Sequence, residues 1–247
     1  MDKWIEGAVV ANHQWNDSLF SLTVDAPVED FEAGQFARLG LHVDGDLVDR
    51  PYSFVNAPRE QPLEFFYVTV PEGPLTQKLI SLRAGDPVLV SRKAQGMMVL
   101  SRVPEARDLW LFSAGTAVGP FLSILKTAET WQRFENVVLA HSVRLTQDLT
   151  HGETIEALRA EHGERFRFVP LVTREETDFA LPVRIPRALA DGSLEERVGF
   201  PVDPALSQAM VCGSSDMVKD TRAALEERGL ERNQRKKPGH ITVESYF

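Results

Sequence analysis

The first hundred residues consist of short apolar runs separated by turn residues. Within these runs apolar and polar side chains alternate, which is typical of half-buried strands. The pattern predicts strands at residues 8–11, 19–24, 36–43, 52–55, 63–70 and 87–91. Asp44-Gly45-Asp46 predicts a tight hairpin turn. Six short strands of this kind favour an antiparallel β-barrel, with an open sandwich as the alternative that periodicity leaves open.

The spacing of apolar residues changes after a polar, proline-containing stretch at residues 101–108. Beyond it, apolar runs alternate with longer segments of helical period, as in βαβ units around a parallel sheet. Strands are predicted at 109–113, 137–141, 167–172 and 209–212, and helices at 120–133, 153–162, 185–191 and 217–228. Ile241 and Val243 alternate with polar residues, as in an edge strand. We therefore predict two domains, a barrel over residues 1–101 and an α/β domain over 102–247.

Two glycine-containing turns precede predicted helices. Gly73-Pro74-Leu75-Thr76 leads into a short amphipathic helix, with Thr76 as the predicted N-cap. Gly115-Thr116-Ala117-Val118-Gly119-Pro120 lies between a strand and a helix, with Pro120 at the predicted first helical position. Because free N–H groups at a helix start favour anions, each turn is a candidate phosphate site. The second turn is not a complete dinucleotide fingerprint, but its place in the first βα unit favours that interpretation.

Composition narrows the classes of function. The 247 residues carry a net charge of −9, which argues against general nucleic-acid binding. No apolar run is long enough for a membrane helix, and the N-terminal residues carry charges of both signs, so a cytoplasmic protein is expected. The single cysteine, Cys212, excludes an internal disulfide, and the six histidines lack the spacing of metal ligands. Cys212 is expected to be a small buried residue. A late basic cluster is either a solvated surface or a docking site for an acidic protein: Arg228, Arg232, Arg235, Lys236 and Lys237.

Arg50-Pro51-Tyr52-Ser53 places a guanidinium, a rigid backbone position, an aromatic ring and a hydroxyl side by side. Such a segment suits a ligand with a phosphate and a flat ring. Further motifs lie before and after this segment, in the following order along the chain: Ala33-Gly34-Gln35-Phe36, Val68-Thr69-Val70-Pro71-Glu72-Gly73, the turn at 115–120, Val211-Cys212-Gly213 and Glu244-Ser245-Tyr246-Phe247. Over essentially its whole length the chain resembles the ferredoxin/flavodoxin-NADP(+) reductase family. It is most similar to the short bacterial members with an aromatic C-terminus.

The resemblance implies FAD as the flavin cofactor. It places the flavin on Arg50, Pro51, Tyr52, Ser53, Tyr67, Val68, Thr69, Pro74, Leu75, Thr76, Thr116, Tyr246 and Phe247. Tyr52 is expected to pack on the flavin ring and Ser53 to hydrogen-bond near its reactive edge. Thr116 is expected to approach from the other domain, and Glu244 to relay a proton. Tyr246 and Phe247 are expected to return to the bent cofactor, on its ring or on its adenine.

The choice between NADP and NAD depends on charge. NAD sites commonly place an acidic residue after the second strand, where this chain has His141-Ser142-Val143-Arg144. Arg144, Arg174 and Arg184 are instead available for a 2′-phosphate. The resemblance implies nucleotide contacts at matching positions: Val143, Arg144, Thr173, Arg174, Arg184, Ser214, Ser215 and Asp216.

The implied activity is hydride transfer between NADPH and FAD, with single-electron transfer between FAD and ferredoxin or flavodoxin. A monomer is expected. Two alternatives stay open at this point: the flavin reductase component of an oxygenase, and a non-catalytic module that responds to flavin or NADP. Oxygenase reductases often carry an additional domain with several cysteines, whereas this chain has one cysteine.

Overall fold

The N-terminal lobe is a curled antiparallel sheet of six strands. In the computed structural model, which describes residues 3–246, these are β1 (Trp4–Gln14), β2 (Leu19–Asp25), β3 (Phe36–Val43), β4 (Asp46–Ser53), β5 (Leu63–Val68) and β6 (Pro87–Ser91). Their order in the sheet is β4-β3-β6-β1-β2-β5. Pro51 lies on the edge strand β4, where its missing N–H costs no ladder hydrogen bond.

A tight hairpin joins two strands of this sheet, and one bridge brings its two edges together. Asp44 and Gly45 have positive φ angles of 53° and 94°, as the hairpin between β3 and β4 requires. Past the end of β4, Phe54 forms an antiparallel bridge to Phe65 on β5. Both phenylalanines are fully buried, and their rings lie 5.3 Å apart. The antiparallel barrel predicted from the sequence is therefore confirmed.

The C-terminal lobe is a five-stranded parallel sheet flanked by helices. Its strands are β7 (Asp108–Ala114), β8 (Asn136–Val143), β9 (Phe166–Val172), β10 (Ser207–Ser214) and β11 (Ile241–Tyr246), in the order β11-β10-β7-β8-β9. The helices of the chain are α1 (Pro74–Leu79) in the barrel lobe and α2 (Val118–Leu125), α3 (Ala128–Arg133), α4 (Gly152–His162), α5 (Ile185–Ala190), α6 (Ser193–Val198) and α7 (Ser215–Glu226). The middle strands are buried along nearly their whole length because helices cover both faces.

Three helix predictions were wrong in detail. The predicted helix 120–133 is two helices, because Thr127 is extended (φ −95°, ψ 127°) and separates α2 from α3. Pro120 is the third residue of α2, since that helix starts at Val118 after a 3₁₀ turn. Thr76 is not an N-cap: α1 begins at Pro74 with Gly73 as its cap. The Thr76 hydroxyl lies inside α1 and accepts the N–H of Val70 at 3.0 Å. The short helix α6 was not predicted.

The connection between the lobes is held from the C-terminal side. The guanidinium of Arg133, on α3, donates to the carbonyls of Leu100 and Val103 at 2.6 and 2.5 Å. It also pairs with Glu105 at 3.4 Å. Residues 100–105 are thus tied to the parallel-sheet lobe. The domain boundary predicted near residue 102 falls within this tied segment and stays a prediction.

Candidate active site

A cavity of about 740 Å³ lies where the end of β4, the end of β5, the start of α1 and the C-terminal strand meet. It collects most of the residues predicted to hold the flavin: Arg50, Pro51, Tyr52, Ser53, Tyr67, Val68, Pro74, Leu75, Thr76, Thr116 and Tyr246. Thr69 is not among its lining residues. Phe247 lies outside the described residues. The predicted lining residues from Arg50 to Thr76 belong to three separate elements, β4, β5 and α1. The curvature of the barrel brings their side chains together.

Two tyrosines form a rigid aromatic wall in this cavity. The rings of Tyr52 and Tyr67 meet edge to face with centroids 6.2 Å apart, and the Tyr67 hydroxyl donates to Asn12 Oδ1 at 3.1 Å. Burial raises the pKa of Tyr52 to about 12, although the nearby Arg50 charge lowers it in part. Burial also raises the pKa of Tyr67. Both rings are therefore neutral at physiological pH, and the wall they form suits a flat apolar ring system.

The C-terminal strand brings a third tyrosine into the same cavity. Because β11 runs parallel to β10, Tyr246 lies beside Ser214, and its hydroxyl is 2.6 Å from Ser53 Oγ on the barrel lobe. Cys212, on β10, is fully buried, and burial raises the pKa of its thiol to about 12. The thiol therefore stays protonated, in line with the expectation of a small buried residue and not of a nucleophile.

Glu244 is a half-buried carboxylate at the rim of the cavity. Its Oε2 accepts the N–H of Met97 at 3.3 Å, while Oε1 has no hydrogen-bond partner within residues 3–246. Burial raises the pKa of Glu244, with the Met97 hydrogen bond opposing the rise. A carboxyl group in this setting can hold a proton at a higher pH than a solvated one.

A second cavity, of about 670 Å³, lies over the carboxyl ends of the parallel strands. Its lining includes most of the residues predicted for the nucleotide: Val143, Arg144, Thr173, Arg174, Arg184, Ser214 and Asp216. Ser215 does not line it. The Arg174 N–H donates to the Arg144 carbonyl at 2.9 Å, which holds these two positions side by side. This is the edge of an α/β sheet at which ligands bind.

The three arginines in this cavity are available for a ligand. Within residues 3–246, the guanidinium groups of Arg144, Arg174 and Arg184 have no ion pair or hydrogen bond. Other arginines of the same lobe are engaged: Arg187 pairs with Asp191 at 3.2 Å, and Arg228 pairs with Glu195 at 2.5 Å. Three unpaired cations at one rim form an anion site.

The two cavities adjoin. Val68, Thr116 and Tyr246 line both of them. Thr116 lies in the 3₁₀ turn Gly115–Ala117, and Gly115 there has a positive φ of 58°. The turn thus presents Thr116 at the junction between the aromatic cavity and the arginine-lined cavity. A ligand in one cavity can therefore reach a ligand in the other without crossing solvent.

Several lining residues were missed from the sequence. Ser18, just before β2, Leu19, at its start, and Asp148, in a 3₁₀ turn after β8, line the arginine-lined cavity from segments that carry no motif. Met217 and Asp220 also line it, and here a signal existed: both lie on α7 within two turns of its N-cap Ser214, whose hydroxyl accepts the Met217 N–H at 3.3 Å. Phe36, Glu72 and Gly119 line the aromatic cavity.

The late basic cluster is partly neutralised. Arg228 points inward to Glu195 and to the Leu189 carbonyl, and Lys237 pairs with Glu231 at 2.5 Å. Arg228 is therefore a structural residue and not part of an exposed patch. Within the described chain, no helix is both long and apolar enough to cross a membrane, and no three His, Cys, Asp or Glu side chains are grouped as metal ligands.

Comparison with known proteins agrees with this architecture. The sequence model of the oxidoreductase NAD-binding domain matches residues 111–223. A flavodoxin/ferredoxin–NADP reductase of Escherichia coli is 42% identical over 248 residues, covering 100% of both chains. A ferredoxin–NADP reductase of Pseudomonas aeruginosa is 39% identical, covering 97% of this chain and 96% of its own. A crystal structure of a ferredoxin NADP+ reductase from Neisseria gonorrhoeae, with bound FAD and NADP, superposes with a TM-score of 0.95 at 32% identity and full coverage of both chains. With its barrel, its parallel sheet and its ordered motifs, the chain belongs to the ferredoxin/flavodoxin-NADP(+) reductase family.

Proposed function

We propose that this chain is an FAD-dependent ferredoxin/flavodoxin–NADP(+) reductase. One observation carries the proposal: an aromatic-walled cavity adjoins, at Thr116, a cavity rimmed by three arginines that have no partner in the part of the chain the structure describes. The names of its full-length relatives, flavodoxin/ferredoxin–NADP reductase and ferredoxin–NADP reductase, support the same activity. The residues present fit both groups, since flat rings need an apolar wall and phosphates need free cations or helix N–H groups. We assign FAD binding to residues 1–101 and NADP binding to residues 102–247.

In this proposal the barrel lobe holds FAD. Tyr52 packs against the flavin ring, Arg50 forks onto a phosphate, and Pro74, Leu75 and Thr76 border the pyrophosphate. Thr69 and Phe247 are proposed as further flavin contacts. When bound, the flavin would supply hydride exchange with a nicotinamide and single-electron exchange with a carrier protein.

Residues of the chain itself orient a hydroxyl towards the ligand, shield the junction of the two cavities from water and hold a proton at the rim. The Ser53 hydroxyl is held by the Tyr246 hydroxyl, so its direction is set before a ligand arrives. Tyr246 stands between the two cavities and excludes water from their junction. Glu244, whose pKa burial raises, is placed to hold a proton at the rim. Arg144, Arg174 and Arg184 hold the 2′-phosphate, while Val143, Thr173, Ser214 and Asp216 border the remainder of the nucleotide. Ser215 stays a predicted contact outside the cavity lining.

A spectral titration tests the proposal. The purified protein should be yellow, and NADPH should bleach its flavin band near about 450 nm, the usual region of flavin absorbance. Ferredoxin or flavodoxin should then restore the colour at a rate far above that of free flavin. Faster turnover with free flavin would indicate an oxygenase reductase component, and absence of bleaching would indicate a binding module. A folded protein that binds no flavin would refute the proposal.

The proposal also covers the cellular compartment, the oligomeric state and the electron-transfer partner. We infer a cytoplasmic monomer that exchanges electrons with an acidic carrier. The single Cys212 is buried and calls for no oxidising compartment. Arg232, Arg235 and Lys236 leave part of the late basic cluster free for docking, because no partner is found for their side chains within the described chain. Affinity for the carrier should therefore fall as salt rises.

A further inference from the structure

A buried polar contact joins the lobes beside the arginine-lined cavity. His151 Nε2 lies 2.9 Å from Glu64 Oε1, and the two residues are 87 positions apart in the chain. Glu64 belongs to β5 of the barrel, whereas His151 immediately precedes α4 of the parallel-sheet lobe. The His151 side chain is only 5% exposed. Neither residue lines either cavity, so ligand contact does not explain the pair.

The surroundings of His151 are built to hold its ring. Trp15 and Phe66 of the barrel lobe pack on it with ring centroids 4.7 and 4.9 Å away, and its Nδ1 lies 2.9 Å from Thr150 Oγ1. His151 also adopts a left-handed backbone conformation, with φ 58°. A non-glycine residue keeps that conformation only where its surroundings impose it.

Glu64 is equally constrained on the barrel side. Its Oε1 also accepts the hydroxyl of Ser21 at 2.7 Å. Burial would raise the pKa of Glu64, but the hydrogen bonds from His151 and Ser21 and the neighbouring positive charges outweigh burial and lower it. The carboxylate is therefore ionised, and an ionised acceptor makes the stronger type of hydrogen bond.

A second contact reinforces the first. Asn16 Nδ2, in the loop before β2, donates to the Gln147 carbonyl at 3.1 Å and to Asp148 Oδ1 at 3.0 Å. Its Oδ1 accepts the N–H groups of Ser18 and Leu19, which line the arginine-lined cavity. Asn16 and His151 thus attach the same loop, residues 144–151, to the barrel.

This loop connects the two halves of the site. It starts at Arg144, whose carbonyl is bonded to the Arg174 N–H. On the other side, β5 continues from Glu64 to Tyr67 and Val68, which line the aromatic cavity. A path of covalent and hydrogen bonds therefore runs from Arg144 through the Glu64–His151 pair to Tyr67 and Val68.

We propose that Glu64, His151 and Asn16 form an interlobe clamp that sets the position of the nucleotide cavity relative to the flavin cavity. These are positioning residues and touch neither ligand. The inference rests on the proposed function for its kinetic readout, because hydride transfer depends on the relative placement of two groups held by different lobes. Binding to one lobe alone does not depend on that placement.

Two substitutions at one position separate the hydrogen bond from the packing. His151→Phe keeps a ring for Trp15 and Phe66 but removes the donor to Glu64. His151→Gln keeps an Nε2 donor and removes the ring. Asn16→Asp is the second test: it preserves the Oδ1 acceptor for Ser18 and Leu19 and places a carboxylate against Asp148.

The experiment uses the FAD-loaded full chain. We expect His151→Phe and Asn16→Asp to slow flavin reduction at saturating NADPH by about tenfold, because small misplacements of reacting groups are costly. In His151→Phe, affinity for 2′-phospho-AMP should stay unchanged, since the Arg144–Arg174 backbone bond that holds two arginines of the nucleotide cavity side by side is internal to the parallel-sheet lobe. Amide hydrogen exchange across residues 145–150 should accelerate. His151→Gln should resemble the wild type in all three measurements.

Three results would overturn the clamp: wild-type reduction rates in His151→Phe and Asn16→Asp, equal losses in His151→Phe and His151→Gln, or a rate loss in His151→Phe matched by loss of its 2′-phospho-AMP affinity. Failure of the wild-type chain to reduce its flavin with NADPH would instead overturn the proposed function. The exchange measurement would then still judge the clamp, because unchanged exchange across residues 145–150 in His151→Phe contradicts it.

Discussion

Removing two of the unpaired arginines should convert the chain from NADPH preference toward indifference between NADPH and NADH. Arg174 and Arg184 approach the arginine-lined cavity from two different segments, the loop after β9 and the residue before α5. Both side chains are exposed and have no ionic partner within residues 3–246. Arg174→Ala with Arg184→Ala therefore breaks no bond inside the protein, and any effect reports a lost ligand contact.

The size of the expected loss in kcat/KM for NADPH follows from the exposure of the Arg174 and Arg184 side chains. A hydrogen bond to a charged group contributes roughly 1.5–3 kcal/mol, and the exposed position of both arginines favours the lower end. Two such contacts amount to about 3 kcal/mol, or roughly a 150-fold loss in kcat/KM for NADPH, since each 1.36 kcal/mol is tenfold. NADH lacks the 2′-phosphate, so its kcat/KM should change by less than about threefold on the same reasoning.

The assay compares kcat/KM for NADPH and NADH with an artificial electron acceptor, in the double variant and the wild type. Arg187→Ala is the control: it removes one positive charge from the same region, but Arg187 pairs with Asp191 and does not line the cavity. The control should leave the preference unchanged. Equal losses for both nucleotides, or an equal effect of Arg187→Ala, would refute assignment of the 2′-phosphate to these arginines.

Two further predictions concern stability. Arg133→Met should lower the free energy of unfolding by about 3 kcal/mol, since the carbonyls of Leu100 and Val103 lose a charged donor. Urea unfolding measures this free energy, with the surface variant Arg159→Met as the control. A change no larger than that of the control would contradict the role given to Arg133. Because the pKa of Glu64 is lowered in the folded chain, its ionisation stabilises the fold above the ordinary value of 4.5, and this contribution is lost as pH falls through the lower folded pKa. In Glu64→Gln, the urea midpoint should therefore decrease less than in the wild type as the pH falls below 4.5. An equally steep decrease in both proteins would contradict this role of Glu64.

Local pattern was sufficient for most of the architecture. Alternation of apolar and polar residues marked the strands of the barrel, and the longer period after residue 108 marked the parallel sheet, because both patterns reflect which faces are buried. Turn chemistry placed the hairpin at Asp44-Gly45. The ordered motifs also named most residues of both cavities, since cofactor sites in such folds occupy strand ends and helix starts.

Errors arose where a residue's role depends on the side-chain contacts it makes in the folded chain. Thr76 looks like an N-cap in the sequence, but Pro74 starts the helix two residues earlier, and the Thr76 hydroxyl bonds to Val70 instead. Arg228 looks like part of a basic surface, yet Glu195 and a carbonyl hold it inward. Propensity ranks residue types for a local conformation and does not specify which partner a side chain finds.

Side-chain type and spacing in the chain were thus enough to predict two lobes, their sheets and the chemistry each can hold. Folding alone brought Glu64 beside His151, joined the two cavities at Thr116, Val68 and Tyr246, and left three arginines without partners among the described residues. The physical reason is that these features depend on residues from separate segments of the chain, such as Glu64 and His151, which are 87 positions apart. Their energies depend on burial and on distance, and both quantities come into existence only when the chain is packed.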